Sequence, residues 1–385
     1  MQNFDFHNPT KVVFGSESIS KLGDLVPPKA KVLILYGGAS AKTSGTLDEV
    51  QAALGTRLVM EFSGIEPNPS YETMLRATEV VRENGLDFLV AVGGGSVVDG
   101  TKFVAAAATF EGDTWEIMQK RGKNIKSALP FGTVLTLPAT GSEMNSIGVI
   151  MKRSTQEKLS FKSRFVFPQF SILDPTKTYT LPKTQVANGI VDAFVHTVEQ
   201  YLTFPAQAMV QDRFAEGLLQ TLIEIAPAAI SMEHDYDARA NLMWVATLAM
   251  NGLIGSGVPQ DWATHMIGHE ITALYGIDHA RTLAIILPSL LDVQREDKRV
   301  KLLQYADRVW GINGGSEDQR IDAVISRTRD FFEDVGMGTR LSTYNLGAEA
   351  IEQILIRLEA HGMTALGEHE NVSLKVSRDI LCRSL

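Results

Sequence analysis

The chain has 385 residues, which predicts two or three domains at about 150 residues each. Its 36 Lys and Arg residues against 45 Asp and Glu residues give a formal net charge of −9, which argues against nucleic acid as a main partner because like charges repel. With 44% hydrophobic and 21% charged residues, the composition is that of a globular protein and not of a disordered one.

The N-terminal segment, MQNFDFHNPTKVVFG, has no apolar stretch behind a positively charged start. No later segment reaches about 18 uninterrupted apolar residues, the length that spans a bilayer. We therefore expect a cytoplasmic protein without a membrane partner.

Short apolar runs alternate with helical patterns between residues 31 and 174, as in a parallel sheet. Helices are predicted at residues 47–54 and 72–83 and after residue 96. Strands are predicted at residues 32–36, 57–62, 88–92 and 133–137, with extended pieces at 148–152 and 165–173. This pattern predicts an open α/β sheet.

Glycines follow the first of these strands, in the turn Gly37-Gly38-Ala39-Ser40. An acidic residue at such a strand end commonly binds the ribose hydroxyls of NAD, and none is present here. The small neutral turn leaves room for a 2′-phosphate, with Ser40 and Lys42 as candidate donors, so the sequence favours NADP. The alternative is a flexible turn beside a solvated lysine.

A second glycine-rich turn, Gly93-Gly94-Gly95-Ser96, joins the strand at residues 88–92 to a helix. Without a Cβ, backbone N–H groups at the positive end of a helix can approach a phosphate closely. The spacing does not match the G-x-G-x-x-G fingerprint of Rossmann domains. A tight turn without a ligand therefore stays open as the alternative.

After residue 182 the β-type alternation stops and a period of 3.6 residues takes over. We therefore predict a dinucleotide-binding α/β domain with a parallel sheet at residues 1–182 and an all-α domain at residues 183–385. The predicted helices cover residues 184–202, 212–226, 237–253, 262–275, 282–296, 298–309, 319–335 and 348–361.

Asp192 and His196 lie four residues apart in the otherwise apolar segment 188–198, so they share one face of a helix. A carboxylate is costly to bury in such a helix unless a cation or a hydrogen-bond donor faces it. A metal ion would satisfy this need. A hydrogen bond or an ion pair within the helix is the alternative.

His265 and His269 repeat the same spacing, and His279 follows ten residues later. Met266 stands where the H-E-x-x-H motif of zinc peptidases has its glutamate, so a hydrolase of that class is disfavoured. The only cysteine, Cys382, allows neither an intramolecular disulfide nor a thiolate cage. One carboxylate with several imidazoles suits Zn²⁺ or Fe²⁺ better than Mg²⁺.

Four motifs together resemble the iron-containing, group III alcohol dehydrogenase family. They are GGGSVVDGTK at residues 93–102, LPATGSE at 137–143, D-x-x-x-H at 192–196, and H-x-x-x-H at 265–269 with a further histidine. The segments LYGGAS, VANGIVDAFVHTVEQY and GVPQDWATHMIGHE look most like the branch of NADPH-dependent aldehyde reductases and butanol dehydrogenases. The resemblance implies a dehydroquinate synthase-like fold, with an α/β nucleotide domain followed by a helical domain, and a homodimer.

The resemblance also assigns site residues, position by position. It implies that the metal ligands are Asp192, His196, His265 and His279, and that His269 lies near the nicotinamide without binding the metal. The cofactor contacts that it implies are Gly37, Gly38, Ser40, Gly94, Gly95, Ser96, Asp99, Thr136, Thr140, Ser142, Asn145 and Lys158. Trp262, Met151 and Phe161 are interpreted as packing residues, with a place beside the site as the alternative.

The expected function is the metal-dependent, reversible reduction of small aldehydes to primary alcohols by NADPH. His269 is the expected proton relay, since imidazole titrates near neutral pH, with direct transfer from solvent as the alternative. Three other functions stay open at this point: a glycerol or polyol dehydrogenase, a non-redox enzyme like dehydroquinate synthase, and a metal-dependent binding or sensor protein.

Overall fold

The computed structural model of the protein describes residues 1–232 and 234–385. The chain divides into two compact units. One, the α/β unit, comprises His7–Pro182 with Glu233–Thr247, and the other, the helical unit, comprises Met1–Phe6, Lys183–Met232 and Leu248–Leu385. The segment Met1–Phe6 thus belongs to the helical unit and the segment Glu233–Thr247 to the α/β unit, although each lies outside the main range of its unit in the sequence. The domain bounds 1–182 and 183–385 stay a prediction.

The strands of the α/β unit are β1 (Lys11–Phe14), β2 (Lys31–Tyr36), β3 (Leu58–Phe62), β4 (Phe88–Gly94), β5 (Phe131–Leu137), β6 (Ile147–Lys152), β7 (Glu157–Lys162) and β8 (Phe170–Leu173). Its helices are α1 (Leu22–Leu25), α2 (Ser40–Thr43), α3 (Thr46–Leu54), α4 (Tyr71–Asn84), α5 (Gly95–Ala108) and α6 (Glu116–Gln119). Six strands form a parallel sheet in the order β1-β8-β5-β4-β2-β3, as expected for an α/β fold.

Both faces of the sheet are covered by helices, because successive side chains of a strand point to opposite faces. Leu33 and Leu35 of β2 lie in one hydrophobic cluster, with residues of α4 and α5. Val32 and Ile34 lie in the other cluster, with residues of α3. Since β2 and β4 are parallel neighbours, with Tyr36 opposite Val92, the two glycine-rich turns follow adjacent strand ends.

Two elements differ from the predicted sheet. The extended piece at residues 148–152 belongs to β6, which pairs with β7 in a separate antiparallel hairpin. The stretch at 165–173 is a strand only from Phe170, because Arg164–Val166 forms a 3-10 helix that Ser163 caps by accepting a hydrogen bond from the Phe165 backbone N. The short strand β1 was not predicted, since it is an edge strand whose residues are exposed or half-buried.

The remaining helices are α7 (Lys183–Tyr201), α8 (Met209–Ser231), α9 (Tyr236–Met250), α10 (Ala263–Tyr275), α11 (His279–Val293), α12 (Arg299–Trp310), α13 (Glu317–Asp334), α14 (Ala348–Ala360) and α15 (Leu374–Arg383). The two-residue strands β9 (Ala365–Leu366) and β10 (Val372–Ser373) form an antiparallel pair. This pair is a small exception to the predicted all-α character of residues 183–385. Gly367 and Glu370 turn the chain between them with positive φ angles.

In the helical unit, α7 packs against α8 and α11, and α11 packs against α10. Every residue of α7 from Val186 to Tyr201 is buried, so its polar side chains must find partners inside the protein. Within the described residues, each helix is too short or too polar to cross a membrane.

Candidate active site

Helix α7 carries Asp192 and His196 on one face, one turn apart. Both side chains are buried, and His196 Nε2 lies 3.7 Å from Asp192 Oδ1, which is beyond hydrogen-bond distance. Among the described residues, Asp192 Oδ1 is buried and accepts no hydrogen bond. A carboxylate oxygen that is buried without a hydrogen-bond donor is costly unless a cation faces it.

Two other elements bring imidazoles to the same oxygen. His265 Nε2 of α10 lies 4.0 Å from Asp192 Oδ1, and Nε2 of His279, the first residue of α11, lies 3.9 Å away. A tetrahedral ion with bonds of about 2.1 Å holds its ligands about 3.4 Å apart, so these separations are close to what an ion needs. The donor set therefore fits a divalent cation such as Zn²⁺ or Fe²⁺.

The predicted ligands are not equally placed. Asp192, His265 and His279 each offer one ligand atom, all within 4.8 Å of one another. His196 lies outside this group of three, although its Nε2 faces the same carboxylate. The ring of His269 lies 4.9 Å from that of His279 and 6.2 Å from that of His265, centre to centre, also outside the group.

The protonation state of His196 suits a ligand. Burial lowers the pKa of this imidazole to about 4, against the opposing effect of the Asp192 carboxylate. At neutral pH the ring is uncharged, and one of its nitrogens keeps a lone pair for coordination.

Glu199 is a site residue that the sequence analysis missed. Its Oε2 contacts His265 Nδ1, and its Oε1 accepts hydrogen bonds from the backbone N atoms of Thr264 and His265, at 2.8 and 3.3 Å. Bonding at Nδ1 fixes the ring so that Nε2 points toward Asp192. Burial, together with the nearby Asp261, raises the pKa of Glu199 well above its ordinary value. The signal in the sequence was a glutamate seven residues after Asp192, on the same helix face.

We expect Glu199→Gln to weaken metal binding about ten- to a hundredfold, because loss of the carboxylate behind a metal-binding imidazole commonly costs that much. Titration of the metal-free protein with Zn²⁺ against a chelating indicator measures the affinity. Glu216→Gln is a matched control, since Glu216 is also a buried glutamate and bonds Tyr201 and Arg213 instead. Equal affinities in the two variants would contradict the role of Glu199.

In the α/β unit, β4 runs through Gly94 and α5 begins at Gly95. Side chains are excluded at this turn: a Cβ on Gly95 would lie 2.2 Å from Thr140 Oγ1, and one on Gly94 would lie 3.0 Å from Leu137 Cβ. Packing alone thus accounts for glycine at both positions. The 14-residue helix α5 begins at this turn, and the backbone N–H groups at a helix N-terminus are suited to binding a phosphate.

Three predicted cofactor contacts, Asp99, Ser142 and Asn145, belong to one hydrogen-bond network that includes Lys102. Ser142 Oγ donates to Asp99 Oδ1 at 2.5 Å. Lys102 Nζ donates to Ser142 Oγ at 2.8 Å and to Asn145 Oδ1 at 2.9 Å. Burial lowers the pKa of Lys102 to about 8, opposed by the charges of Asp99 and Glu143. No role for Lys102 was predicted from the sequence, although a lysine before an alanine-rich helical run was a signal.

The other predicted contacts lie at the carboxyl ends of the strands or in the hairpin. Gly37 follows β2, Ser40 begins α2 and is exposed, and Gly38 has open space where a Cβ would be. Thr136 is half-buried in β5, Ser96 Oγ accepts a hydrogen bond from the Asn68 backbone N, and Lys158 of β7 is close enough to Asp99 to interact with its charge.

Two family descriptions match the chain. Residues 9–175 match the family described as iron-containing alcohol dehydrogenase, and residues 186–371 match the C-terminal part of the Fe-containing alcohol dehydrogenase family. The chain is 58% identical over 382 residues to the NADPH-dependent aldehyde reductase YqhD of Escherichia coli (strain K12), with 99% of each chain covered. It is 40% identical to a probable NADH-dependent butanol dehydrogenase of Bacillus subtilis (strain 168), over 100% of both chains.

Solved structures of an aldehyde reductase and a butanol dehydrogenase also match the chain. The substrate- and cofactor-free form of the aldehyde reductase YqhD from E. coli matches with a TM-score of 0.95 at 56% identity, over 100% of both chains. The NADH-dependent butanol dehydrogenase A from Thermotoga maritima matches with a TM-score of 0.95 at 35% identity, covering 100% of this chain and 99% of the other. These matches confirm the predicted fold class.

Proposed function

The chain belongs to the iron-containing alcohol dehydrogenase family, and from that premise we propose that it catalyses the NADPH-linked, reversible reduction of aldehydes to primary alcohols. The observation that carries this function is the buried Asp192 Oδ1, which faces three imidazole Nε2 atoms at 3.7 to 4.0 Å. We assign metal binding to residues 183–385 and nucleotide binding to residues 1–182.

Asp192, His196, His265 and His279 are the proposed metal ligands. When bound, a divalent ion supplies Lewis acidity for the carbonyl oxygen, and NADPH supplies the hydride. The Asp192 carboxylate offsets part of the ion's charge, and Glu199 holds the His265 ring in a fixed orientation. His269, which is buried beside His279, is the proposed proton relay to the alcohol oxygen.

The proposed phosphate-binding residues of the cofactor site are Gly94, Gly95, Ser96 and Asp99, and the further proposed contacts are Thr136, Thr140, Ser142, Asn145 and Lys158. Lys102 orients two of these residues, because its Nζ donates hydrogen bonds to the side chains of Ser142 and Asn145. For the 2′-phosphate we propose the turn of Gly37, Gly38 and Ser40 with the exposed Lys42.

We expect Gly38→Asp to lower the preference for NADPH over NADH at least tenfold, because a carboxylate there repels a 2′-phosphate and accepts hydrogen bonds from ribose hydroxyls. Position 38 is suited to this test, since no atom lies within 4 Å of an added Cβ, whereas a Cβ on Gly37 would lie 3.1 Å from the Ile65 carbonyl oxygen. The measurement is kcat/KM for each cofactor, with Gly38→Ala as the control. An unchanged ratio in Gly38→Asp would place the 2′-phosphate elsewhere.

The function itself is tested by following NADPH absorbance at 340 nm with a short aliphatic aldehyde, before and after chelation and after return of the metal. Net, chelator-sensitive oxidation of NADPH is the expected result. A non-redox enzyme like dehydroquinate synthase would show no net consumption of NADPH. A binding or sensor protein would bind NADPH and the metal ion without turnover. A polyol dehydrogenase would prefer hydroxylated substrates.

We also propose that the protein is a homodimer and that it is located in the cytoplasm. An exposed sheet edge favours self-association, and β1 forms one edge of the sheet. Phe14, the last residue of β1, and Trp244 form an edge-to-face aromatic pair with ring centres 6.1 Å apart, and both side chains are more than one-third exposed. Sedimentation at two protein concentrations tests the dimer.

A further inference from the structure

Trp262 has an unusual backbone conformation. Its φ of 80° and ψ of 4° lie in the left-handed region, immediately before helix α10. The other non-glycine residues with positive φ in the described chain are all polar: Glu17, Asn68, Arg121, Gln156, Gln207, Asn345 and Glu370. A bulky aromatic residue in this region is strained, and such strain persists where the surroundings impose it, often beside functional sites.

The surroundings of Trp262 do impose it, through the preceding residue. The Asp261 backbone N donates to the Glu199 carbonyl oxygen at 2.9 Å, and Asp261 Oδ1 accepts from the Ala263 backbone N at 2.8 Å. Asp261 Oδ2 lies 2.9 Å from Nζ of the buried Lys298. Both sides of position 262 are thus fixed, and the indole Nε1 donates to Gln260 Oε1 at 3.0 Å.

This conformation places the indole against two of the proposed metal ligands. Its ring centre lies 5.4 Å from that of His265, at an interplanar angle of 76°, and 6.3 Å from that of His196, at 64°. The two imidazoles are buried, whereas Trp262 is partly exposed.

We propose that Trp262 is a specificity-determining residue that forms an apolar wall of the substrate site and favours aldehydes with a hydrocarbon tail over shorter ones. This inference rests on the proposed function. A tail laid on the indole leaves water, and each buried methylene group contributes about a fourfold gain in binding. The residue is therefore more than the packing residue that the sequence suggests.

The test compares Trp262→Gly with Trp262→Phe over linear aldehydes from propanal to hexanal. Glycine adopts a positive φ without strain, so Trp262→Gly removes the wall and keeps the turn. In the wild type we expect kcat/KM to rise at least tenfold over this series, and in Trp262→Gly to change by no more than about threefold. Trp262→Phe keeps an aromatic ring and should retain most of the rise. All three proteins should bind the metal equally.

A second readout does not depend on turnover. Co²⁺ added to the metal-free protein should quench part of the tryptophan fluorescence, and this part should be missing in Trp262→Phe. Trp244→Phe is the matched control, because Trp244 is also partly exposed but contacts Phe14 in the α/β unit. It should keep the full Co²⁺-dependent change.

An active Trp262→Gly enzyme with the wild-type rise in kcat/KM overturns the inference, and so does metal loss in both Trp262 variants, which would make the residue a structural part of the metal site. Failure of the proposed function is a different result, in which the wild-type protein oxidises no NADPH with any aldehyde.

Discussion

His265→Ala is expected to leave the protein folded but without bound metal and with activity reduced at least a thousandfold. His265 is one of the three residues whose ligand atoms lie within 4.8 Å of one another, and its ring is held in place from behind by Glu199. Removing the imidazole leaves an incomplete donor set next to a carboxylate oxygen that accepts no other hydrogen bond. An ion held by fewer ligands is lost on dialysis, and the Lewis acidity it supplies is lost with it.

His269→Ala is the matched control for this prediction. It removes another buried histidine, one turn further along the same face of α10. We expect it to lower kcat while metal content stays at the wild-type value. Metal analysis after dialysis, together with the rate of NADPH oxidation, distinguishes the two variants. Metal loss from His269→Ala combined with metal retention in His265→Ala would show that the ligand assignment is wrong.

Lys298→Met is expected to lower the free energy of unfolding by about 3–5 kcal/mol, the usual cost of removing one partner from a buried ion pair. Lys298 Nζ lies 2.9 Å from Asp261 Oδ2, 2.7 Å from Glu368 Oε1 and 2.8 Å from the Leu202 carbonyl oxygen. Burial alone would lower the pKa of Lys298, but the two carboxylates reverse that effect, so its pKa is raised. The stabilisation is therefore full at neutral pH and is lost only as the pH rises past the ordinary lysine value.

Denaturant unfolding of Lys298→Met and of Lys120→Met measures this difference. Lys120 forms a solvent-exposed pair with Glu116, so its removal should cost less than about 1 kcal/mol. The double variant Lys298→Met with Glu368→Gln should recover part of the loss, because one buried carboxylate is then neutral. Equal losses for the two single variants would mean that the Lys298 group contributes no more than a surface pair.

The parallel sheet could be predicted because its central strands are short, continuous apolar runs. β2 and β4 are buried on both faces, and a strand buried on both faces needs apolar residues at nearly every position. The residues at 32–36 and 88–92 meet this requirement, so the strands can be predicted from them. The pairs Asp192 with His196 and His265 with His269 could be predicted to share helix faces for a similar reason, since spacing along a helix is a local property.

Contacts between distant segments could not be predicted in this way. The side chains of Glu199 and His265 are in contact although they are 66 residues apart in the sequence, and those of Lys102 and Ser142 are bonded although they are 40 residues apart. Each contact therefore depends on how whole helices and strands pack. Trp262 was predicted to begin a helix, but the bonds of Asp261 to Glu199 and Lys298 hold it in a left-handed conformation outside the helix.

Local signals also misled the prediction of helix ends. The helix predicted at residues 212–226 ends just before Pro227, a residue type that lacks an N–H group and commonly ends a helix. In the structure α8 continues through Pro227 to Ser231. Only one helical hydrogen bond is lost there, and the buried residues Ala226 and Ala229 keep the helix packed on both sides of the proline.

The position of β1 has a consequence for synthesis of the chain. In the described residues β1 pairs only with β8, with Lys11 opposite Phe170, so its partner follows about 160 residues later. A ribosome adds about 5–20 residues per second, so the N-terminal strand waits roughly 8–30 s before its partner exists. Parallel pairing over such a distance also folds slowly. We expect nascent chains that end before residue 170 to be more prone to aggregation than longer ones, which stalled-chain pelleting assays would measure.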